Sequence, residues 1–346
     1  MCGIIAAASN RNVGKLLVKG LHKMEYRGYD SAGIALHQND QIAHLRTLGK
    51  VRLLEEKMIS EKPRSKLGIA HTRWATHGEP SEENAHPHKS NERVYIVHNG
   101  IIENYLDLKK FLKKEGYSFT SQTDSELIAH MIEYFLSKGN SMLDSMYLTK
   151  EKLDGAYAIA AIDKEDSNNI IIARNKSPLL IGIGVDEYFA ASDPLAIALW
   201  TNEFIFLEDG DVAVLSSEEY KIFDESKKEA EREISHIDIS SQATSKGEFK
   251  HFMEKEIYEQ PEAILNTIDG RVGGDDVLDN IFGIGSSEIF EKVKRIQIVA
   301  CGTSLHAGRV AANWLSAIAE LPTQIDYASE YRYKNPHVDE DSLLVT

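Results

Sequence analysis

The sequence predicts an α+β layered domain followed by the beginning of an α/β domain, and three observations support this prediction. Short apolar runs bounded by glycine, asparagine or aspartate fill the first two-thirds of the chain, as in strands with tight connections. Two adjacent amphipathic helices interrupt these strands rather than alternating with them, which favours sheets that carry helices on their faces. Near the end of the chain, strand, turn, helix and strand follow one another as in a βαβ unit.

The predicted elements of the first region are read from apolar periodicity. Strands are predicted over residues 3–8, 34–37, 67–70, 94–97, 156–162, 170–173, 179–183 and 204–207. One helix is indicated by apolar residues at i, i+4, i+7 and i+11, namely Ile101, Tyr105, Leu108 and Leu112. A second helix has an apolar face formed by Leu127, Ile128, Met131, Ile132 and Phe135. Thr123 and Glu126 have the spacing of a capping box at its start.

A change in composition after residue 223 predicts a second structural region. Residues 224–250 are polar, charged and rich in serine, which indicates an interdomain connection. Residues 252–268 have a helical pattern, and we expect Pro261 to break this helix or to start it afresh.

The last part of the chain is predicted to begin a parallel sheet. Its expected order is a strand, a turn, a helix and two further strands, at residues 295–300, 301–304, 305–319, 323–327 and 342–346. Because a parallel sheet must be covered on both faces, a domain that stops at its third strand is expected to be incomplete. We therefore expect a domain over residues 1–240, a linker with a helical lead-in over 241–290, and an incomplete domain over 291–346.

Charge and composition argue against several classes of function. The 346 residues include 39 Lys and Arg against 54 Asp and Glu, and the resulting net charge of −15 disfavours nucleic-acid and anionic membrane partners. No apolar run reaches the ~20 residues of a membrane span. Two cysteines are too few for a disulfide framework, and the N-terminus does not have the pattern of a leader peptide. These features predict a soluble cytoplasmic protein.

Cys2 has a position that permits nucleophilic chemistry. Because cysteine is small, removal of Met1 is feasible and would place a thiol and a free α-amino group on one residue. An α-amino group titrates near pH ~8, so it can accept a proton from the adjacent thiol at neutral pH. The alternative from this residue alone is a small buried side chain at a strand edge.

Polar residues follow two predicted strands and begin a predicted helix. Arg73 lies in the loop over residues 71–78 and could pair with a carboxylate. Asn99 and Gly100 offer neutral, closely spaced donors for an oxyanion. Asp124 lies at a helix start and could bind an ammonium group. Taken singly, these residues could instead be a surface ion-pair partner, a hairpin turn and a helix-terminal charge.

The histidines of the first region do not have the spacing of a metal site. His71, His77, His86, His88 and His98 lack accompanying cysteines and a helical His-x-x-x-His pattern. We therefore expect them to be solvated or core side chains and expect no metal.

Several ordered segments resemble the glucosamine-6-phosphate synthase family, the glutamine:fructose-6-phosphate aminotransferases. The segments are Met1-Cys2-Gly3-Ile4, residues 25–33 (EYRGYDSAG), 71–80 (HTRWATHGEP), 98–104 (HNGIIEN), Thr123-Asp124, 251–261 (HFMEKEIYEQP), 300–304 (ACGTS) and 328–333 (ASEYRY). The resemblance extends over essentially the whole chain, and strings of this length are specific.

The resemblance implies an N-terminal-nucleophile hydrolase fold, a four-layer αββα sandwich, for about residues 2–240. It implies that Cys2 attacks the side-chain amide of L-glutamine and that Asn99 and Gly100 form the oxyanion hole. Arg73 would bind the glutamine α-carboxylate and Asp124 its α-ammonium group. Trp74, Thr76 and His77 would belong to the loop that closes over the site, and Arg27 would support the site.

The resemblance also implies an amino-sugar product. In the family, the released ammonia reaches fructose 6-phosphate, and no metal or redox cofactor takes part. Thr303 and Ser304 match hydroxyls that contact the sugar phosphate, and full-length members are expected to form homodimers. The sugar-isomerase domain is expected to be incomplete here, so this chain alone should act only as a glutaminase. The alternatives are the glutaminase half of another type 2 amidotransferase and a non-catalytic module that binds sugar phosphates.

Overall fold

The computed structural model describes residues 2–38, 40–75, 78–237, 249–268, 272–273, 276–277, 286–334, 339 and 341–346. Thr76 and His77 therefore lie outside the described residues. The chain divides into two compact units, Met1–Ser245 and Lys246–Thr346.

The first unit consists of antiparallel strands with helices between them. Its described strands are β1 (Gly3–Ser9), β2 (Ser31–Gln38), β3 (Gln41–Leu48), β4 (Leu67–Arg73), β5 (His88–Ser90), β6 (Val94–Ile102), β7 (Gly155–Asp163), β8 (Ile170–Asn175), β9 (Leu180–Gly184), β10 (Glu187–Ala191), β11 (Glu203–Phe206), β12 (Val212–Leu215), β13 (Tyr220–Phe223) and β14 (Ile234–His236). Its described α-helices are α1 (Gly14–Met24), α2 (Val51–Glu61), α3 (Tyr105–Lys114), α4 (Glu126–Ser137) and α5 (Met142–Lys150). Short 3₁₀ turns cover Glu25–Arg27 and Pro194–Ala196.

Two sheets organise these strands. One sheet has the order β14-β11-β9-β10-β1-β4-β2-β3, and the other has the order β13-β12-β8-β7-β6-β5. In the first sheet β1 lies between β10 and β4, with Ile5 opposite Ala191 on one side and Ala70 on the other. The start of β1 is therefore held in the middle of its sheet.

Alternate residues of the strands face two different apolar cores. Ile4 and Ala6 belong to the core between the sheets, whereas Ile5 and Ala7 belong to the core beneath α1 and α2. A third core packs α4 and α5 against the outer face of the second sheet. Because central strands such as β1 are covered on both faces, their sequences are continuously apolar rather than alternating. The result is helix, sheet, sheet and helix in four layers, which confirms the predicted αββα sandwich.

Two local predictions are wrong. Ile101 lies on β6 rather than on a helix, because residues 99–102 pair with residues 155–158 of β7 and the helix begins only at Tyr105. The capping box does not form at α4. Instead, the Glu126 carboxylate accepts backbone N–H bonds from Thr120 and Ser121, and Thr123 contacts His88.

The second unit has a parallel sheet. Its described elements are α6 (Phe252–Ile268), β15 (Val272–Gly273), β16 (Asp276–Val277), α7 (Ser286–Phe290), β17 (Arg295–Ala300), α8 (Gly302–Ile318), β18 (Thr323–Tyr327), α9 (Ala328–Tyr333) and β19 (Ser342–Val345). Parallel strands in the order β18-β17-β19, with α8 between β17 and β18, confirm the βαβ prediction. The expected break at Pro261 is absent, since α6 continues through it. The helix is exposed around that position, so a carbonyl that loses its N–H partner can be hydrated.

The aromatic residue Phe189 of β10 provides a test of the core beneath α1 and α2. Its side chain is fully buried. We expect Phe189→Ala to lower the free energy of unfolding by about 3–5 kcal/mol because it leaves a cavity. Chemical denaturation measures this loss. The matched control is Phe206→Ala on β11, where the residue is 45% exposed and the loss should be less than half as large. Equal losses would contradict the assignment of this core.

Candidate functional site

Cys2 immediately precedes β1, and its thiol contacts the end of β4. The Trp74 backbone N–H lies 3.3 Å from Cys2 Sγ, and the Trp74 carbonyl lies 3.5 Å from it. Burial raises the pKa of the Cys2 thiol, while the Trp74 hydrogen bond and the positive charge of Arg73 act in the opposite direction. Because the net effect raises the pKa, the thiol is protonated at neutral pH and needs a base before it can act as a nucleophile.

The end of β4 is fixed by residues 28–30. A Cβ atom at Gly28 would lie 2.6 Å from the carbonyl carbon of Arg73, so only glycine allows this approach. The Asp30 N–H donates to the Arg73 carbonyl at 3.0 Å, and Asp30 Oδ2 accepts from the Ala75 N–H at 2.8 Å. Trp74, which is partly exposed, packs edge-on against Tyr29. Asp30 thus holds the backbone that contacts the thiol.

Arg73 is a buried cation beside several acidic groups. Its guanidinium donates to the Gly78 carbonyl at 3.1 Å. Burial lowers the pKa of Arg73, while Cys2, Asp30 and Asp124 raise it by electrostatic attraction. The site therefore combines a fixed positive charge with nearby carboxylates.

Asn99 and Gly100 lie on β6 of the other sheet. Asn99 Nδ2 lies 3.1 Å from the Cys2 carbonyl oxygen, and Asn99 Oδ1 lies 2.9 Å from His71 Nε2. Gly100 has φ +136°, and a Cβ atom there would lie 1.9 Å from the Ala156 carbonyl oxygen. The Asn-Gly pair is therefore part of a strand rather than a hairpin turn, and it reaches the thiol residue from the facing sheet.

Asp124 is buried just before α4. Its Oδ2 accepts the Ile102 N–H at 2.8 Å, and its Oδ1 lies 3.5 Å from Ser125 Oγ. Ser125 Oγ in turn lies 2.8 Å from His98 Nδ1. These bonds hold the carboxylate next to the Asn-Gly strand.

The remaining predicted site residues do not all join this cluster. Arg27 is partly exposed and forms an ion pair with the buried Asp193, which also accepts a hydrogen bond from the Tyr26 hydroxyl at 2.7 Å. This pair ties the 3₁₀ turn after α1 to the end of β10. Thr303 and Ser304 belong to the second unit, where they are exposed in the first turn of α8.

Four buried imidazoles lie behind the Asn-Gly strand. The His71 and His86 rings stack with centroids 4.1 Å apart, and His88 meets His86 edge-on at 4.5 Å. Burial lowers the pKa of His71 to about 3 and lowers the pKa values of His86, His88 and His98 as well. Among the described residues, no group of three or more His, Cys, Asp and Glu side chains is arranged to hold a metal ion.

Asp30 and His71 were not predicted as parts of this site, although both contact it. The sequence signal for Asp30 is its place in the 25–33 segment, and that for His71 is its place two residues before Arg73. Neither signal indicates which atom the side chain contacts.

These low pKa values predict a stability that falls in acid. The unfolded chain binds a proton on His71 near pH ~6.5, whereas the folded chain does so only at about 3. The stabilisation is thus complete above pH ~6.5 and is lost as the pH falls, at about 1.4 kcal/mol per pH unit for each such histidine. The free energy of unfolding therefore depends on pH between about 6 and 4. We expect His71→Gln to reduce the slope of this dependence by about 1.4 kcal/mol per pH unit, the contribution of one proton. Chemical denaturation at a series of pH values measures the slope.

The control for this slope is His236→Gln, because His236 is exposed at the end of β14. This variant keeps the buried His71 and should therefore retain the loss of stability in acid that His71 causes. An unaltered slope in His71→Gln would show that the His71 imidazole is not held neutral.

No helix in the described part of the chain is long and apolar enough to cross a membrane.

Known protein families match both units. The glutamine amidotransferase domain model matches residues 71–198, and the SIS domain model matches residues 289–346. The chain is 46% identical over 346 residues to the isomerizing glutamine–fructose-6-phosphate aminotransferase of Shewanella oneidensis. It is 47% identical over 348 residues to the protein of the same name from Haemophilus influenzae. Each alignment covers 100% of this chain and 57% of the relative, so the chain spans little more than half the length of these proteins.

Two solved structures have a similar fold. The allosteric regulatory enzyme of purine biosynthesis matches with a TM-score of 0.58 and 26% identity, over 66% of this chain and 50% of that chain. The glutamine phosphoribosylpyrophosphate amidotransferase of B. subtilis, complexed with ADP and GMP, matches with a TM-score of 0.60 and 19% identity. That match covers 94% of this chain and 65% of the other and supports the fold alone. On the sequence identities and the two matched domains, this chain is a homologue of the glutamine–fructose-6-phosphate aminotransferases, with a glutamine amidotransferase domain and a SIS domain.

Proposed function

We propose that this chain hydrolyses L-glutamine to glutamate and ammonia as the first half of a glutamine-dependent synthesis of glucosamine 6-phosphate. The observation that carries the proposal is the meeting of Cys2, at the start of β1, with Asn99 on the facing sheet. The distance from Asn99 Nδ2 to the Cys2 carbonyl oxygen is 3.1 Å. The residue that carries the nucleophile thus lies in hydrogen-bond contact with an amide donor from the facing sheet.

The raised pKa of Cys2 determines how the thiol must be activated. Because the thiol is protonated, the α-amino group exposed by removal of Met1 accepts its proton. The sulfur then bonds to the side-chain amide carbon of glutamine, and the proton passes to the amide nitrogen as the C–N bond breaks. Ammonia leaves, and water cleaves the γ-glutamyl thioester to give glutamate and the free thiol.

Asn99 and Gly100 supply the charge stabilisation that this reaction needs. The tetrahedral intermediate carries negative charge on the former amide oxygen. The Asn99 side-chain NH₂ has a second hydrogen besides the one directed at the Cys2 carbonyl, and the Gly100 backbone N–H lies on the same strand. Neutral donors held by a packed strand stabilise such an oxyanion without reorganisation.

Arg73 and Asp124 are proposed to bind the two charged groups of the substrate. Both side chains are buried, and their charges interact. A guanidinium suits the glutamine α-carboxylate, and a carboxylate suits its α-ammonium group. Trp74 is proposed to cover the substrate together with Thr76 and His77. Arg27 is proposed to support the site through its ion pair with Asp193 rather than by touching glutamine.

The second unit is proposed to take the acceptor, fructose 6-phosphate. Thr303 and Ser304 follow β17 at the start of α8, where free backbone N–H groups and hydroxyls favour a phosphate group. We propose a glutaminase domain over residues 1–240, a linker over 241–290 and a sugar-binding region over 291–346. For the full-length protein we propose a homodimer that converts the sugar without a metal or redox cofactor.

The first test concerns the nucleophile. We expect Cys2→Ala to abolish glutamate release from glutamine, because the substitution removes the sulfur that forms the thioester, while glutamine still binds. A glutamate assay and isothermal titration with glutamine measure the two effects, on protein whose loss of Met1 is verified by intact mass.

Cys301→Ala is the matched control, since Cys301 is an exposed thiol in the second unit. It should retain wild-type glutamate release. Glutamate release by the Cys2→Ala protein at the wild-type rate would exclude the thioester route, whereas binding without glutamate release by the processed wild type would favour a non-catalytic binding module.

The second test concerns the sugar phosphate. We expect Thr303→Ala to weaken fructose 6-phosphate binding at least tenfold, because one hydrogen bond to a charged group is worth about 1.5–3 kcal/mol. Calorimetric titration measures the affinity. Ser316→Ala, near the other end of α8, should bind like the wild type. Equal affinity in all three proteins would place the phosphate elsewhere.

A further inference from the structure

His71 is a buried side chain that the proposed reaction does not use. It lies on β4 opposite Ile4 and is 1% exposed. Its Nε2 atom lies 2.9 Å from Asn99 Oδ1 and 3.1 Å from the His98 carbonyl oxygen. Both partners are oxygen acceptors in this network, so Nε2 must carry a hydrogen.

This hydrogen determines which way the Asn99 amide faces. Asn99 Nδ2 lies against the Cys2 carbonyl oxygen, which can only accept. The reversed amide would place its NH₂ group against the His71 N–H and its oxygen against the Cys2 carbonyl oxygen. Both contacts of the reversed amide would be repulsive, so the network has one consistent arrangement.

The environment of His71 allows this single tautomer. His71 Nδ1 has no hydrogen-bond partner among the described residues. The ring stacks on His86, whose Nδ1 accepts the His98 backbone N–H at 3.3 Å. That bond requires an unprotonated Nδ1 on His86 as well. Two neutral imidazoles therefore hold this segment: His86 bonds the His98 backbone, and His71 bonds the Asn99 side chain.

We propose that His71 is a positioning residue that directs the Asn99 NH₂ group toward the side-chain amide oxygen of glutamine, which becomes the oxyanion. It does so by donating its Nε2 hydrogen to Asn99 Oδ1. The inference rests on the proposed glutaminase function and adds the residue that orients the oxyanion donor. His71 itself does not touch the substrate.

The test compares His71→Gln with His71→Asn. A glutamine side chain places an NH₂ donor near the position of the imidazole Nε2, whereas an asparagine side chain is too short to reach Asn99. We expect His71→Asn to lower kcat for glutamate release about 100-fold with KM changed less than threefold. This is the scale of losing one oxyanion donor. His71→Gln should stay within about tenfold of the wild-type kcat.

A double-mutant cycle shows whether His71 acts through Asn99. Asn99→Ala removes the oriented amide, so His71→Asn should lower kcat no further in that background. His130→Leu is the control for loss of a buried imidazole, since His130 bonds Ser90 away from Cys2. It should lower thermal stability and leave kcat unchanged.

Each outcome separates this inference from the function it rests on. A wild-type protein with no glutaminase activity, although Met1 is removed, would overturn the proposed function. With an active wild type, equal kcat values for His71→Gln and His71→Asn would overturn the positioning role. A further 100-fold loss in the Asn99→Ala background would overturn it too. If His71→Asn does not fold, the cycle is run with His71→Leu, which fills the site without a donor: kcat must fall about 100-fold in the wild-type background and no further in the Asn99→Ala background.

Discussion

The burial of β1 on both faces is the constraint on which the site depends. One set of its residues packs between the two sheets, and the alternate set packs beneath α1 and α2. Backbone bonds to β10 and β4 fix the strand laterally as well. A residue placed directly before such a strand has little freedom to move. The thiol of Cys2 is therefore positioned by the core of the domain, although the residue lies at the start of the chain.

The electrostatics of the site divide into a charged side and a neutral side. Arg73, Asp30 and Asp124 provide fixed charges near the thiol, whereas the imidazoles behind Asn99 are held neutral by burial. Neutral histidines can act as defined donors and acceptors without adding positive charge that would compete for the substrate carboxylate. The same burial that keeps them neutral also keeps the thiol protonated, so nucleophile activation depends on a group outside the core.

Sequence patterns predict the features that depend on neighbouring residues, which are the apolar strands and the reactive groups beside them. Cys2, Arg73 and Asn99 stand out because thiol, guanidinium and amide groups lie at the ends of apolar runs, and the layered fold follows from those runs. Ile101 was assigned to a helix because its side chain fits a helical period, but pairing with β7 outweighs that period. The contacts of Asp30 and His71 join residues distant in sequence, so no periodicity or spacing predicts them. The pairing of Arg27 with Asp193 has the same origin.

The close approach of Gly28 to the Arg73 carbonyl limits which substitutions the two segments can accept during evolution. The 28–30 segment touches the end of β4 with no room for a side chain, and Asp30 bonds the backbone on both sides of Trp74. The two segments therefore pack as one rigid unit. Trp74, which belongs to this unit, provides the N–H that contacts the thiol. Substitutions in either segment must be compatible with the other. If the Cys2 strand were grafted onto another protein, both segments would have to be grafted with it. The groups that surround the thiol come from several separate stretches of sequence.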